Sequence, residues 1–188
     1  MKNLNDIEII ESVKRGNTAD FSLLVDRYKD KGFSLLRRML KNEMDAEEVL
    51  QDCFMKAFQS LNLFRQESKF STWFYRIVYN SALSFLASKR RKKERDLNSI
   101  DEELELEKND NKIYAETENL MQYLNKLIEK LPEKFAAIIN MFYIDEMTLD
   151  EISKATGLSI VNIKVILHRS RNALRELIIK HNYQEELL

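Results

Sequence analysis

The sequence predicts an all-α protein in which two small helical domains are joined by an acidic, flexible linker. Three observations support this fold class. Gly occurs three times and Pro once in 188 residues, so the chain holds few of the residues that tight hairpin turns need. Apolar residues make up 44 % of the chain and recur at helical spacing, which is enough to build folded cores. The charge also reverses sign near the middle of the chain.

The formal net charge is only −1, but the charges are segregated along the chain. Residues 89–95 contain six basic residues and one acidic residue, whereas residues 96–111 contain seven acidic residues against one basic residue. A stretch of high charge without aromatic residues is typical of a linker. We therefore predict one domain over residues 1–95, a linker over 96–118 and a second domain over 119–188.

In the first half, apolar spacing predicts two or three helices over residues 5–40, with a break at Gly16-Asn17. A further helix is predicted from Asp45 to Leu61, with Asp45 and Glu48 as a capping pair. Its apolar face comprises Val49, Leu50, Cys53, Phe54, Ala57, Phe58 and Leu61. The last helix of this half is predicted from Ser71 to about Lys89.

In the second half, a helix is predicted over 119–130, and Pro132 suits the first turn of the next, which ends near Ile144. Thr148 and Glu151 form a capping box, and Gly157 supplies a left-handed helix end. Ser159 is expected to cap a final helix. The inward residues of that helix are predicted to be Ile160, Ile163, Ile166 or Leu167, Ala173, Leu174 and Leu177.

Two helices joined by a Gly-containing turn describe a helix-turn-helix, whose second helix enters the DNA major groove. The side chains expected to face bases are Ser159, Val161, Asn162, Lys164, Val165 and His168. Those expected to hold phosphates are Arg169, Arg171 and Arg175. The alternative is a plain helical hairpin with a solvated basic face.

Two surfaces of the first half are also candidates for binding, one for a nucleic-acid strand and one for a protein. The first surface alternates aromatic, basic and amide side chains, which could stack on and hold an unpaired strand. Its members are Phe64, Arg65, Lys69, Trp73, Tyr75, Arg76, Tyr79 and Asn80. Some of these aromatic residues are expected in the core instead, and Phe74, adjacent to Trp73, is assigned to it. The second surface is the outward acidic face of the helix after Asp45, which comprises Glu47, Glu48, Gln51, Asp52 and Met55. Its negative charge and its methionine suit contact with a basic partner helix. An ordinary solvated helix face is the alternative.

Catalysis and metal binding are not expected. The sequence has no Gly-rich phosphate loop, no Ser/His/Asp arrangement and no Cys/His cluster at ligand spacing, and His168 and His181 lack partners at such spacing. We therefore expect no cofactor, no metal and no small-molecule substrate. Cys53 lies in an apolar stripe, which predicts a buried, inert thiol. Without a signal peptide or a membrane-spanning stretch, the chain is expected to be cytoplasmic.

Three sequence blocks resemble a known family. The block LPEKFAAIINMFYIDEMTLDEISKATGLSIVNIKVILHRSRNALREL, from Leu131 to Leu177, resembles the promoter-binding fourth region of sigma factors. The blocks DAEEVLQDCFMKAFQSL and FRQESKFSTWFYRIVYNSAL, residues 45–61 and 64–83, resemble their second region. With two regions and one linker, the chain resembles the extracytoplasmic-function (ECF) sigma factors.

The resemblance implies core RNA polymerase and promoter DNA as partners, and an anti-sigma factor as inhibitor. It assigns Asp45, Glu47, Glu48, Gln51, Asp52 and Met55 to the clamp helices of polymerase. It assigns Asn62, Phe64, Arg65, Lys69, Trp73, Arg76 and Asn80 to the minus-ten element, with residues 62–65 in the loop that holds a flipped base. Ser159, Val161, Asn162, Lys164, Val165, His168, Arg169 and Arg171 are assigned to the minus-thirty-five element. The linker is expected to lie in the RNA-exit channel or to act as a spacer.

The recognition helix departs from the family pattern. Relatives commonly show Thr-Val-Lys-Ser-Arg-Leu where this chain has Asn162 to Leu167, so that Val165 replaces Ser and Ile166 replaces Arg. We therefore expect a different minus-thirty-five element or weaker binding, and Val165 suits contact with a thymine methyl. Two other functions stay open, a stand-alone helix-turn-helix regulator and a sigma-like adaptor.

Overall fold

The computed structural model describes the backbone of residues 4–97 and 117–185 and the side chains of residues 4–94 and 123–180. Every regular element in these ranges is a helix, which confirms the all-α prediction. Nearly all of the predicted acidic linker, residues 96–118, lies outside the described residues.

The first half contains four α-helices and two short 3₁₀ turns. They are α1 (Asp6–Lys14), a turn at Thr18–Asp20, α2 (Phe21–Leu40), α3 (Glu43–Ser60), a turn at Leu61–Leu63, and α4 (Phe70–Leu97). The predicted break between the first two helices is confirmed, because Gly16 adopts a φ of 103° that side chains disfavour.

Helix α3 begins two residues earlier than the sequence predicted, and its cap is Asn42 rather than Asp45. The Asn42 side chain accepts a hydrogen bond from the Asp45 backbone N–H at 2.9 Å. Lys41 ends α2 in the left-handed conformation, with a φ of 57°, so only a two-residue corner separates the helices. The predicted Asp45–Glu48 capping pair is therefore wrong. Asp45 instead lies in the first turn, where its charge favours the helix dipole.

The second half contains α5 (Thr117–Glu129), α6 (Glu133–Ile139) with a π-helical turn at Asn140–Ile144, α7 (Leu149–Thr156) and α8 (Ile160–Glu185). Pro132 precedes the first helical residue of α6 as its cap instead of lying within the first turn. The predicted capping box at Thr148 and Glu151 is confirmed, as is the left-handed Gly157, with a φ of 74°. Together they fix the start and end of the short α7.

The core of the first half is aromatic and closely packed. Phe74 is fully buried, as predicted, and stacks on Phe54 with ring centroids 4.6 Å apart. Helix α2 approaches these rings so closely at Gly32 that an added Cβ would lie 2.8 Å from Leu50 Cδ1 and 3.3 Å from Phe74 Cε1. A glycine within a helix lowers the intrinsic stability of that helix. Gly32 is accommodated because it lets α2, α3 and α4 approach one another closely.

The two halves pack against each other. Helix α4 lies against α7, and α2 lies against α5 and α6. Buried apolar side chains form one continuous cluster that runs from Ile9 in α1 to Leu167 in α8. The sequence did not predict this contact, because helical periodicity shows which face is buried but not which helix covers it.

Candidate nucleic-acid and protein interfaces

Helix α3 presents an acidic face to solvent. Its predicted members Glu47, Glu48, Gln51, Asp52 and Met55 are all exposed. The opposite side, with Ala46, Val49 and Cys53, is buried in the core. Asp45 differs from the others, since its carboxylate lies 2.8 Å from the Lys89 ammonium of α4 and is mostly covered.

Met44 is a member of this acidic face that the sequence did not identify. Its side chain is 79 % exposed, more than the 61 % of Met55. Met44 and Glu48 are four residues apart and therefore lie on one side of the helix. The residue was missed because the helix was predicted to begin at Asp45, after the methionine. An exposed methionine at each end of an acidic stripe suits contact with another protein.

The predicted minus-ten residues lie along the loop before α4 and the outer side of that helix. Asn62, Arg65, Lys69, Arg76 and Asn80 are exposed, and Trp73 is half-buried. These groups provide cations and amides along one surface, as binding to a single strand requires. Leu63, 78 % exposed in the same loop, adds an apolar side chain that the sequence did not assign.

Three of the interleaved aromatic residues are buried in this arrangement. Phe64 is 5 % exposed, and Tyr75 and Tyr79 are each 2 % exposed. The Phe64 ring packs against Trp73 and Phe70, at centroid distances of 5.1 and 6.0 Å. Tyr75 and Tyr79 are therefore among the aromatic residues that the sequence expected in the core, because the wide apolar side of α4 takes both rings inward. Phe64 can stack on a base only if its loop moves.

The loop that carries Phe64 is anchored to the first helix. Lys14 at the end of α1 donates a hydrogen bond from Nζ to the Phe64 carbonyl oxygen at 2.9 Å. Two residues later, Gln66 adopts a left-handed φ of 59°. Lys14 was missed as a candidate because it is 50 residues away in sequence from its partner. The contact makes α1 a brace for the candidate minus-ten loop.

The turn between α7 and α8 is held by local hydrogen bonds. The Ser153 hydroxyl donates to the Leu158 carbonyl oxygen at 2.7 Å, and the Leu158 N–H donates to the Thr156 hydroxyl oxygen at 3.2 Å. Ser159 caps α8, accepting the Asn162 N–H at 3.3 Å, as predicted. These bonds fix the angle at which α8 leaves the turn, which the helix-turn-helix geometry requires.

Helix α8 has one buried side and one exposed side at its N-terminal end. Ile163, Leu167 and Ser170 are buried, and Ile166 packs partly against the core. The predicted minus-thirty-five residues are all exposed, namely Ser159, Val161, Asn162, Lys164, Val165, His168, Arg169 and Arg171. The prediction that Ile160 faces inward is wrong, because its side chain is 40 % exposed at the first residue of α8.

Polar contacts join the two halves. Lys69 Nζ lies 2.8 Å from Glu151 Oε1, linking the start of α4 to the capping box of α7. Arg38 of α2 donates from Nη2 to Asn125 Oδ1 of α5 at 2.7 Å. The neighbouring Arg37 lies 3.6 Å from Glu129. We refer to these three pairs as the interdomain clasp.

Two charged groups at or near the clasp are removed from solvent, Arg38 almost fully and Asp145 partly. Arg38 is 7 % exposed, and burial lowers the pKa of its guanidinium. Burial raises the pKa of Asp145, which is hydrogen-bonded by Asn140 and lies close to Tyr75, Lys31 and Arg38. Burial, followed by the charge of Asp145, raises the pKa of Tyr75. Charges placed at a contact between two halves make that contact sensitive to pH.

Further features of the described residues concern metal binding, an apolar groove, a thiol and the length of the helices. No cluster of three His, Cys, Asp or Glu residues suited to a metal occurs among them. An apolar groove borders the N-terminus of α1 and the loop before α4, lined by Ile7, Ile10, Tyr28, Phe64 and Phe70 among others.

Cys53 is buried, as predicted, and burial raises its pKa to about 11. Among the described helices, none has the length and apolarity to cross a bilayer.

Two family matches cover most of the chain. Residues 24–92 match the family described as Sigma-70 region 2, and residues 121–174 match Sigma-70, region 4. The first match includes the acidic face and the candidate minus-ten residues. The second includes the helix-turn-helix. Both occur in the order that the sequence motifs indicated.

Curated relatives match over nearly their whole length. The ECF RNA polymerase sigma factor SigW of Bacillus subtilis is 33 % identical, over 89 % of this chain and 93 % of the relative. The ECF RNA polymerase sigma-E factor of Escherichia coli is 32 % identical, over 91 % and 93 % of the two chains. In fold, the chain is similar to the sigma factor RpoE of Bartonella quintana, solved in complex with the anti-sigma factor NepR. The TM-score is 0.68 at 20 % identity, covering 85 % of this chain and 96 % of that one.

Proposed function

This chain belongs to the ECF RNA polymerase sigma factors, and on that premise we propose how its exposed surfaces bind polymerase and promoter DNA. The proposal depends on one combined observation. The chain contains the two sigma-70 regions in the family's order, and nearly all of the predicted contact residues in them are exposed. A sigma factor directs core RNA polymerase to specific promoters, opens DNA at the minus-ten element and reads the minus-thirty-five element.

The acidic face of α3 is proposed to dock on core polymerase. Glu47, Glu48 and Asp52 supply negative charge for a basic partner helix, and Met44 and Met55 supply adaptable apolar contact. Gln51 lies between them on the same exposed side. Asp45 is proposed to act from the edge of this face, where its pair with Lys89 fixes its position.

The loop and outer side of α4 are proposed to open and hold the minus-ten element. Arg65, Lys69 and Arg76 would neutralise phosphates, while Asn62 and Asn80 would hydrogen-bond bases or sugars. Trp73 is partly exposed already and is the aromatic group best placed to stack. Phe64 would take part after release from its contacts with Trp73 and Phe70.

The N-terminal half of α8 is proposed to lie in the major groove at the minus-thirty-five element. Ser159, Val161, Asn162, Lys164, Val165 and His168 would face bases, with Arg169 and Arg171 on the phosphates. Ile166 stands where relatives commonly have Arg, and it packs partly against the core. A bidentate guanine contact, of the kind that an arginine can make, is therefore not available from this position.

Binding both promoter elements requires the two halves to separate. The minus-ten and minus-thirty-five elements are about 25 base pairs apart, which is roughly 85 Å at about 3.4 Å per base pair. In the structure, Lys69 and Glu151 from the two candidate DNA-binding halves are in contact. We therefore propose that residues 1–95 and 119–188 act as domains that change their relative orientation on binding polymerase, while the acidic linker spans the distance.

Further partners follow from the family. RpoE of Bartonella quintana was solved with the anti-sigma factor NepR, and we propose an inhibitor of that kind for this chain. We assign the chain no catalytic step, cofactor, metal or small-molecule substrate, since its proposed work is binding. We place its action in the cytoplasm, where the polymerase of a bacterium acts.

The test is run-off transcription from a pool of genomic fragments, with purified bacterial core polymerase and with or without the protein. We expect discrete transcripts that appear only when the protein is added. If no transcript appears but the protein co-purifies with polymerase, the sigma-like adaptor is the better account. If the protein binds a DNA site unaided and ignores polymerase, it is a stand-alone regulator.

A further inference from the structure

We infer that Val161 and Val165 read thymine methyl groups in the minus-thirty-five element, so that this chain recognises part of its promoter by apolar contact. The inference rests on the proposed function. It goes beyond that function by naming the chemical feature of the DNA that the recognition helix selects.

The two valines form an apolar ridge on the outermost side of α8. Val161 is 70 % exposed and Val165 is 43 % exposed. They lie four residues apart and hence on one side of the helix, opposite the buried Ile163 and Leu167. The same stripe continues along the helix through His168 and Asn172, which contact each other at 3.3 Å.

No structural need explains valine at these positions. Val is a poorer helix former than Ala because its branched side chain loses rotamer freedom in a helix. Neither valine belongs to the buried cluster or to the half-buried side chains that pack on it. The two valines are adjacent on the helix surface, so they form a small apolar patch rather than isolated side chains, and such a patch suits contact with a partner.

Charge identifies DNA as that partner. At about 100° per residue, Lys164 and Arg171 lie on one flank of the ridge and Asn162 and Arg169 on the other. All four side chains are exposed. Each flank thus carries one arginine for the phosphates and one polar side chain, Lys164 or Asn162, that can reach a base edge, which fits a major groove whose walls are the two phosphate backbones.

The apolar feature of the major groove is the C5 methyl group of thymine. The two valines are about 6 Å apart along the helix axis, at about 1.5 Å per residue. This rise is close to two base-pair steps of about 3.4 Å each. We therefore expect two thymines, on either strand, within about three consecutive base pairs of the element.

The experiment uses holoenzyme made from bacterial core polymerase and the full chain. A promoter pool randomised across the minus-thirty-five element is selected for transcription, and the enriched element should contain the expected pair of thymines. Each is then replaced by deoxyuridine, which removes only the methyl group. We expect promoter binding to weaken about fourfold for each methyl, the value for one buried methylene-sized group.

Val161→Ala and Val165→Ala test whether these side chains cause the preference. Each variant should bind the thymine promoter about fourfold more weakly and should no longer distinguish thymine from deoxyuridine at one position. Ile179→Ala is the matched control, because Ile179 is a β-branched residue, 49 % exposed, on the same stripe of α8. It lies about 27 Å further along the axis and should keep the full methyl preference.

The inference is overturned if no thymines are enriched, if wild-type holoenzyme binds deoxyuridine and thymine promoters equally, or if the alanine variants keep the preference. These results differ from failure of the proposed function, in which the wild-type protein directs no promoter-specific transcript at all. If the valine variants transcribe normally but lose binding to a protein inhibitor, the ridge is a protein contact and the DNA assignment is wrong.

Discussion

Lys69 and Glu151 form an ion pair between the two halves of the protein, with Nζ 2.8 Å from Oε1. Lys69 belongs to the candidate minus-ten surface. Glu151 completes the capping box of α7, where its other carboxylate oxygen accepts the Thr148 N–H at 2.9 Å. The hydrogen bond from Lys69, followed by that from Thr148, lowers the pKa of Glu151. While the pair is formed, Lys69 is not available to a phosphate.

The first prediction concerns the arrangement of the two halves. Spin labels at Ser84 in α4 and Glu176 in α8, both exposed, should give a single narrow distance distribution in the free protein. In the polymerase holoenzyme, the distance should be longer. Pulsed electron paramagnetic resonance measures both, and equal distances in the two states would contradict the proposed opening.

With the same labels, Glu151→Gln should slightly increase the open fraction, which is the fraction of molecules in which the two halves are separated. Glutamine keeps the capping box, so α7 is retained and only the ion pair with Lys69 is lost. Lys69 is 75 % exposed, so the effect should be below about 1 kcal/mol. Asp150→Asn is the control, because Asp150 pairs with Lys154 of its own helix. A change as large in the control would show that helix charge, not the clasp, is responsible.

The second prediction concerns the partly buried hydrogen bond between Arg38 and Asn125. Arg38→Met keeps the apolar stem of the side chain while removing the guanidinium that donates to Asn125. A double-mutant cycle with Asn125→Ala should give a coupling free energy of about 1–2 kcal/mol, since the bond is charge-assisted and Arg38 is buried. Urea unfolding of the four proteins measures it. Additive effects would mean that the two side chains do not interact in solution.

The third prediction is a pH dependence caused by Asp145. Burial raises its pKa in the packed arrangement, where Lys31 and Arg38 of α2, Tyr75 of α4 and Asn140 of the π-helical turn surround it. A raised pKa means that the packed form binds the proton more tightly. Protonated Asp145 therefore stabilises the packed form fully below about pH 4, which is the ordinary pKa of an aspartate. This stabilisation is lost as pH rises through the raised pKa.

The open fraction, measured with the same spin labels, should accordingly increase as pH rises through that window. Asp145→Asn mimics the protonated acid and should remove the dependence, whereas Glu146→Gln, at an exposed neighbour, should keep it. Glu151 acts in the opposite sense and at lower pH, because its pKa is lowered. A wild-type protein that closes as pH rises would contradict the assignment.

The fourth prediction separates polymerase binding from promoter reading. Asp52→Arg reverses a charge on the exposed acidic face and should abolish polymerase binding while leaving helicity unchanged, as measured by affinity capture and circular dichroism. Lys164→Ala should reduce promoter-dependent initiation about tenfold, with polymerase binding unchanged. Asp26→Arg, at an exposed carboxylate of α2 outside the acidic face, is the charge-matched control. If Asp52→Arg and Lys164→Ala affect the same step, the assignment of the two surfaces is wrong.

The fifth prediction concerns Cys53. The thiol is buried and its pKa is raised to about 11, so little thiolate forms at neutral pH. Cys53 should react with Ellman's reagent only after the protein is unfolded, whereas a cysteine introduced at the exposed Ser84 should react at once. Rapid reaction of the native protein would show that α3 opens locally.

Local features were predictable from the sequence where neighbouring residues determine them. The capping box at Thr148, the left-handed Gly157 and the cap at Ser159 each depend on hydrogen bonds or backbone conformations within a few residues. The beginning of α3 was misplaced because two candidate caps, Asn42 and Asp45, lie in one short stretch and only the backbone at Lys41 decides between them.

Contacts across the chain were not predictable in the same way. Arg38 and Asn125 are 87 residues apart in sequence, and nothing in either local pattern indicates the other. The aromatic residues of α4 show the same limit. Composition identified rings suited to stacking, but Tyr75 and Tyr79 are buried and Trp73 is only half-buried, a division that depends on which helices cover α4.

If the two halves separate on binding polymerase, as proposed, the continuous core that joins them also affects the measured strength of holoenzyme assembly. A protein that must first open has an apparent dissociation constant equal to its intrinsic value divided by the fraction that is open. Substitutions at Arg38 or Asn125, on helices other than α3, would then tighten assembly simply by enlarging that fraction. Selection for the strength of promoter use could therefore act on residues that contact neither DNA nor polymerase.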